Sequence, residues 1–220
     1  MTASNTPKRR WSLLHGTRPE TPLTAEGPTL RGARVLLRPL VADDYDAWLT
    51  VRSSCRRWLQ VWEPRPAGGK HLAEDRSSFV SRCLGRERER QLGYGYGFGI
   101  FVDGAFCGEI TLSSIQRGPF QSGVIGYWID EAKAGRGLMP ESVVVVLAFA
   151  FDSLALHRVE VNIVPRNAAS RRVVEKLDLR SEGVSLRMLE FDGVWEDHMR
   201  FAITAEEWSE RGADLKAQWC

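Results

Sequence analysis

The chain has 220 residues, 43% hydrophobic and 26% charged, with a formal net charge of +2. That length accommodates one α/β domain with a tail, and two full domains would be cramped. A charge this small does not mark a nucleic-acid binder, and no apolar run is long enough to cross a bilayer, so neither nucleic acid nor membrane is an expected partner. Cys55, Cys83, Cys107 and Cys220 form no C-x-x-C pair. This speaks against a zinc knuckle or disulfide framework, leaves no metal site in view, and suits a reducing cytoplasm.

Residues 1–28 are polar and proline-containing and read as a flexible or loosely docked extension; Trp11–Leu14 is too short for the apolar core of a secretory signal. Val35–Arg38 then reads as a short strand, and Asp43–Leu49 opens with acids suited to a helix N-terminus. Residues 54–72 carry Trp58, Trp62, Pro64, Pro66, Gly68 and Gly69 and form a breaker-rich connection, after which Leu72–Leu84 resumes a helical pattern. Arg86–Arg90 alternates in sign like a solvated helix face. Gly97–Val102 and Ala105–Ser114 flank Asp103-Gly104, a dipeptide suited to a two-residue hairpin turn, and Gly123–Ile129 reads as a neighbouring strand. Val143–Val146 favours a strand by propensity, but Pro140–Leu154 is long for one and begins with a proline that the first helical turn accepts; it reads as a buried helix. Arg158–Val164 alternates as a strand. Asn167 caps a helix with Ala169, Val173, Val174 and Leu177 on one face. Leu186–Phe191 pairs with Val194–Ile203 around Asp192-Gly193. The domain so delimited spans 29–210, with 211–220 as a C-terminal tail.

A strand entering a Gly-rich turn that opens a helix can hold an anion, because the first helical N–H groups lack intrahelical acceptors and the helix dipole adds positive potential. Gly135 and Gly137 supply the backbone freedom, and Lys133 and Arg136 supply charge. An ordinary strand-to-helix connection fits the same G-x-G. A Walker loop is absent, and a dinucleotide fingerprint would put its third glycine at Pro140 and its ribose-binding acid at Glu160, inside the next strand.

Five ordered segments go further: Gly126-Tyr127-Trp128-Ile129, Ala134-Gly135-Arg136-Gly137-Leu138-Met139-Pro140, Leu156-His157-Arg158-Val159-Glu160-Val161, Pro165-Arg166-Asn167-Ala168-Ala169-Ser170 and Val174-Glu175-Lys176-Leu177. Together they resemble the GNAT superfamily, and within it the RimJ and RimL type of ribosomal-protein N-terminal acetyltransferases. The similarity runs from about Gly32 to Trp208 and includes a terminal hairpin at Phe191–His198. It implies a mixed α/β (α+β) GNAT fold: a mostly antiparallel central sheet, splayed between the two parallel strands 123–129 and 158–164, with flanking helices. Acetyl-CoA would be the co-substrate in that cleft. Its pantetheine arm would lie along Tyr127, Trp128 and Ile129, and its pyrophosphate on Lys133, Ala134, Gly135, Arg136, Gly137 and Leu138. Asn167 would sit beside the cofactor while also capping its helix. Two positions depart from the family pattern: Ala132 stands where Gln or Arg is common, and Asp178 replaces the glycine of L-G-F, where aspartate accepts left-handed angles less readily.

The implied reaction moves an acetyl group to a primary amine, which must be neutral to attack; a peptide α-amine has a pKa of about 8 and a lysine amine about 10.4. The α-amine of a protein N-terminus therefore needs only a weak base. A tyrosine acid used by many relatives falls on Val174, so the resemblance gives the role to Ser170, which could equally bond local backbone. Candidate bases are Glu190 and Glu109, both also readable as solvated strand carboxylates, with a water chain as the alternative. His157 and His198 read as packed or capping histidines. Trp58, Trp62, Glu63 and Arg65 lie where relatives form the acceptor pocket, although two tryptophans there could equally plug the edge of the core. The rival readings are a small-molecule amine acetyltransferase and a non-catalytic acyl-CoA-binding module. A homodimer is compatible with all three.

Overall fold

The structure, a computed structural model, describes residues 27–65 and 67–220, so the expected extension falls almost wholly outside it. Strand β1 (Leu30–Arg31) and β2 (Val35–Arg38) lead through a 3-10 turn at Ala42–Asp44 to helices α1 (Tyr45–Ser54) and α2 (Arg56–Gln60). Helix α3 is Arg76–Gln91, and β3 (Tyr96–Val102), β4 (Ala105–Gln116) and β5 (Ser122–Ile129) follow. The second half is α4 (Leu138–Ala148), β6 (Arg158–Ile163), α5 (Ala168–Lys176), β7 (Arg180–Phe191), β8 (Val194–Thr204) and α6 (Ala205–Trp219).

Eight strands form one sheet in the order β1-β2-β3-β4-β5-β6-β8-β7. Both expected hairpins close on positive φ at two consecutive residues, Asp103 (50°) with Gly104 (79°) and Asp192 (54°) with Gly193 (91°), the geometry that matches strand twist. Every neighbouring pair is antiparallel except β5 and β6, which run parallel. That pair is short: Ser122, Gly123 and Val124 meet Arg158, Val159 and Glu160, and the strands then part. Beyond that point β5 is held only by β4, out to Ile129, and β6 only by β8, out to Ile163. The sheet thus opens as a wedge, the shape implied by the family resemblance.

The valine run does form a helix. Residues Leu138 to Leu147 of α4 are all buried, because the helix lies between the sheet and α6 and has no solvent face. Burial on every side removes the usual amphipathic signature and leaves valine's strand propensity without consequence. A π-helical turn, Phe149–Ser153, ends it. On the other face of the sheet Trp48, Phe79, Phe101 and Phe106 form a smaller core under α1 and α3.

Four expectations need correction. Helix α3 begins at Arg76, after Leu72, where the Asp75 carboxylate accepts from Ser78 N at 2.9 Å, and it continues through the sign-alternating Arg86–Arg90. That stretch is not wholly a solvated face, since Arg90 is buried and bonded to Glu87. The expected boundary at 210 falls inside α6, whose Leu215 is buried and whose Trp219 packs on the main core. Finally, Asp178 takes the left-handed conformation itself, φ 50°, with its carboxylate held by Arg211 at 3.0 Å; the helix end that glycine makes in relatives is kept by an anchored aspartate. Among the described residues no helix is long and apolar enough to cross a membrane.

Candidate active site

The wedge opens into a cleft of about 290 Å³. Its floor is the parted half of β5 (Tyr127, Trp128, Ile129); one wall is the turn from Lys133 into the first residues of α4, and the other is α5, with Asn167, Ser170, Arg172 and Lys176. The far end is closed by Arg52, Trp58, Leu59, Trp62, Glu63 and Pro64. The expected cofactor residues Tyr127, Trp128, Ile129, Lys133, Ala134, Gly135, Gly137, Leu138, Asn167 and Ser170 therefore line one cavity together with the expected acceptor residues Trp58, Trp62 and Glu63. Arg136, also expected there, is not brought to the lining; its carbonyl accepts from Arg34 Nη1 instead.

The turn is built for close approach. Asp130 accepts from Ala132 N at 3.0 Å and from the Cys55 thiol at 3.2 Å, and that sulfur in turn accepts from Glu131 N at 3.3 Å, which fixes the turn to the end of α1. Gly135 (φ 76°) and Gly137 (φ 81°) both adopt left-handed backbone, and the space where a Gly135 side chain would stand is open. Gly137 is the N-cap of α4, so the first N–H groups of that helix have no intrahelical acceptor, and its opening residues Leu138, Met139 and Pro140 line the cleft. Lys133, Arg172 and Lys176 add three cations to the cleft walls. Unpaired N–H groups, a glycine cradle and clustered cations suit a pyrophosphate.

Behind the cradle stands a pair that the sequence did not disclose. Glu141, in the first turn of α4, has no exposed surface. Its Oε1 accepts from Arg34 N at 2.6 Å and Val35 N at 3.1 Å, and its Oε2 from Arg34 Nε at 2.8 Å. Arg34 Nη1 also donates to Arg136 O at 2.9 Å. The start of β2 is thereby pinned to the turn. The only hint in the sequence was a carboxylate within an otherwise apolar helix.

On α5, Asn167 Oδ1 accepts from Ser170 N at 3.0 Å, the expected cap. Ser170 Oγ lies 3.0 Å from the hydroxyl of Tyr127, which is itself 3.1 Å from Ser170 O. Burial raises the Tyr127 phenol well above its ordinary value, with the Ser170 hydrogen bond opposing the shift.

Neither candidate base is brought to the cleft. Glu109 is on the opposite side of the sheet, accepting from Trp48 Nε1 at 2.8 Å and paired with Arg82 at 2.8 Å. Glu190 accepts from Ala67 N at 2.9 Å, and its carbonyl accepts from Arg65 N at 2.8 Å. With the Arg65–Asp192 pair at 3.0 Å, these bonds strap the loop after α2 to the β7–β8 hairpin, so Arg65 fastens that loop and does not line the cleft. His157 is exposed and 3.0 Å from Glu206, while His198 is buried and stacked on Phe191. Among the described residues Glu63 is the sole carboxylate of the cleft lining. Its Oε1 is 2.5 Å from Nη2 of Arg52, a side chain only 5% exposed that also lies over the Trp128 ring at 5.4 Å. Arg52 was also missed, since nothing local distinguishes an arginine in mid-helix whose partner lies in a later loop.

Residues 34–180 match the family model described as "Acetyltransferase (GNAT) domain". The chain is 34% identical over 176 residues to "Probable N-acetyltransferase YjcK" of Bacillus subtilis (strain 168), covering 79% of this chain and 96% of that one. It is 30% identical over 102 residues to "[Ribosomal protein uS5]-alanine N-acetyltransferase" of Escherichia coli (strain K12), a match spanning 46% of this chain and 53% of the relative. Among solved structures it resembles "Mycobacterium smegmatis RimJ in complex with CoA-disulfide", with a TM-score of 0.79 and 33% identity over 88% of this chain and 96% of the other.

Proposed function

Because the chain belongs to the GNAT acetyltransferase family, we propose that the amine it acetylates is the α-amine of a protein N-terminus. It is an acyl-CoA-dependent N-acetyltransferase, and acetyl-CoA is its co-substrate. Bound acetyl-CoA supplies the acetyl group as an activated thioester; the chain's own residues do the rest. The parted strand and the glycine turn hold the cofactor's arm and diphosphate, and Asn167 fixes the first turn of α5 beside them. Ser170 returns a proton to the departing sulfur.

One observation carries the choice of acceptor: among the described residues the acceptor end of the cleft offers a single carboxylate, Glu63, and Arg52 is already paired with one of its oxygens. A polyamine or aminoglycoside brings several ammonium groups and would be matched by several carboxylates. One ammonium suits one Glu63. An α-amine with a pKa of about 8 is partly neutral near pH 7.5, so a water opening onto Glu63 suffices as proton acceptor. The names of the relatives, which include a ribosomal-protein alanine N-acetyltransferase, favour the same class of acceptor. That reading carries a cytoplasmic location.

The test is a thiol-release assay with acetyl-CoA over N-terminal peptides, lysine peptides and small amines, with Ser170→Ala in parallel. Turnover is expected on peptides with a free α-amine, above both other classes. Ser170→Ala should lose about 100-fold in kcat, a usual size for an acid–base group, with Kd for CoA unchanged. Faster turnover on small polyamines would overturn the acceptor assignment. CoA binding without turnover on any amine would leave the non-catalytic binding module as the correct reading.

A further inference from the structure

Tyr127 stands on the half of β5 that has parted from β6, and its phenol reaches across the cleft to the first turn of α5. Its oxygen lies 3.1 Å from Ser170 O and 3.0 Å from Ser170 Oγ. A carbonyl oxygen can only accept, so the one phenol proton is committed to Ser170 O. The phenol oxygen must then accept at its other contact, and the Ser170 hydroxyl is the donor. At rest the Ser170 proton therefore points at Tyr127, and the cleft meets only Ser170 lone pairs. A serine in that state cannot protonate a leaving sulfur.

The same phenol proton has a second acceptor within the same reach. Rotation about one C–O bond swings it from Ser170 O to Ser170 Oγ; Tyr127 becomes the donor, and the serine proton is released toward the cleft. We propose that Tyr127 is the positioning residue of the acid, a hydroxyl switch that turns Ser170 from donor-to-tyrosine into donor-to-sulfur. The inference rests on the acetyl-transfer reading above. As the bond from amine nitrogen to carbonyl carbon forms and the carbon–sulfur bond breaks, the bonding pair leaves on sulfur and the Ser170 proton goes with it. Tyr127 then holds the electron-rich Oγ by a charge-assisted hydrogen bond until the proton shed by the nitrogen to the water at Glu63 is passed on to Oγ. Burial supports this role, since a phenol raised so far stays neutral throughout the working range and keeps a proton to donate.

The contrary reading makes Tyr127 a simple brace between β5 and α5. Wild type, Tyr127→Phe, Ser170→Ala and the double variant separate the two. Tyr127→Phe is expected to lower kcat about 10- to 100-fold, leaving Kd for CoA within about twofold, as suits loss of one hydrogen bond made in the transition state. The double variant should be no slower than Ser170→Ala, because Tyr127 acts only through that hydroxyl. In the cofactor-free protein, urea unfolding of the same four proteins should show non-additive losses, a readout independent of turnover. Wild-type kcat in Tyr127→Phe, multiplied losses of kcat in the double variant, or additive unfolding losses would each overturn the switch. If wild type turns over and Ser170→Ala matches it, the acid assignment falls and the switch with it. If wild type acetylates no amine while Tyr127→Phe and wild type bind CoA alike, the acetyl-transfer reading itself falls and the switch falls with it.

Discussion

Glu63 is held from one side only: Arg52 occupies Oε1, and Oε2 has no hydrogen bond among the described residues. This leaves one oxygen to meet an ammonium group. Glu63→Gln keeps the shape and removes the charge, so the KM for a peptide acceptor should rise about tenfold, the worth of roughly one charge-assisted hydrogen bond, while Kd for CoA stays put. Steady-state kinetics with the acceptor varied would measure it, and an unchanged KM would remove Glu63 from the acceptor site. At the cofactor end, Gly135→Val forces a β-branched residue into φ 76°. CoA affinity by calorimetry should fall at least about tenfold, since the cradle must rearrange to relieve the strain. What the sequence disclosed at this scale was local. The glycines, Asn167 and Ser170 act through neighbours a few residues away, and their spacing was enough. Glu190, Glu109, Arg52 and Tyr127 could not be read this way, because each takes its role from a partner in a different element: Ala67, Arg82, Glu63 and Ser170 respectively.

Among elements, the glycine turn before α4 is held less by its own sequence than by the bond between α4 and the start of β2. A carboxylate with no exposed surface needs its donors, and Glu141 has three, two of them backbone N–H groups. Arg34→Ala removes the cation but leaves the two backbone donors. We expect it to cost about 2 kcal/mol in unfolding free energy, and to weaken CoA binding because the Arg136 carbonyl loses its anchor. Chemical denaturation and calorimetry would check both; an unchanged CoA Kd would uncouple the clamp from the cradle. Element boundaries were misread where tertiary structure supplied the reason. Leu72 suggested an early start to α3, yet it is exposed, and Asp75 caps the helix after it. The last turns of α6 seemed a tail because no helix end marked residue 210, and only packing against the core shows that they belong to the domain.

For the molecule as a whole, the wedge was legible only through family resemblance, since alternation along β5 and β6 says nothing about how far they stay paired. Beyond Val124 and Glu160 each strand is hydrogen-bonded only to its outer neighbour, and at the closed end of the wedge a charged network ties β6 to β8 and β7. Arg158 of β6 bonds Glu182 of β7 at 2.9 Å and Glu160 at 2.8 Å; Glu160 also accepts from Arg200 of β8 at 2.9 Å, and Glu182 from Arg180 at 2.8 Å. The hydrogen bonds from Arg158 and then Arg180 bring the Glu182 carboxyl down to about 2. Its folded pKa thus lies below the unfolded carboxylate value of about 4.3, so the unfolded chain binds the proton more readily in acid. The contribution is complete above about pH 4.5 and is lost as pH falls through about 2. Partial exposure limits it to about 1 kcal/mol, and salt should reduce it further. Urea unfolding of wild type and Glu182→Gln from pH 7 down to about pH 2 should therefore show the variant less stable at neutral pH, with the two curves converging as pH falls through about 2. A difference that persists at low pH would mean that Glu182 acts through packing, and the stiffness of the outer strands would then have to come from their backbone pairing alone.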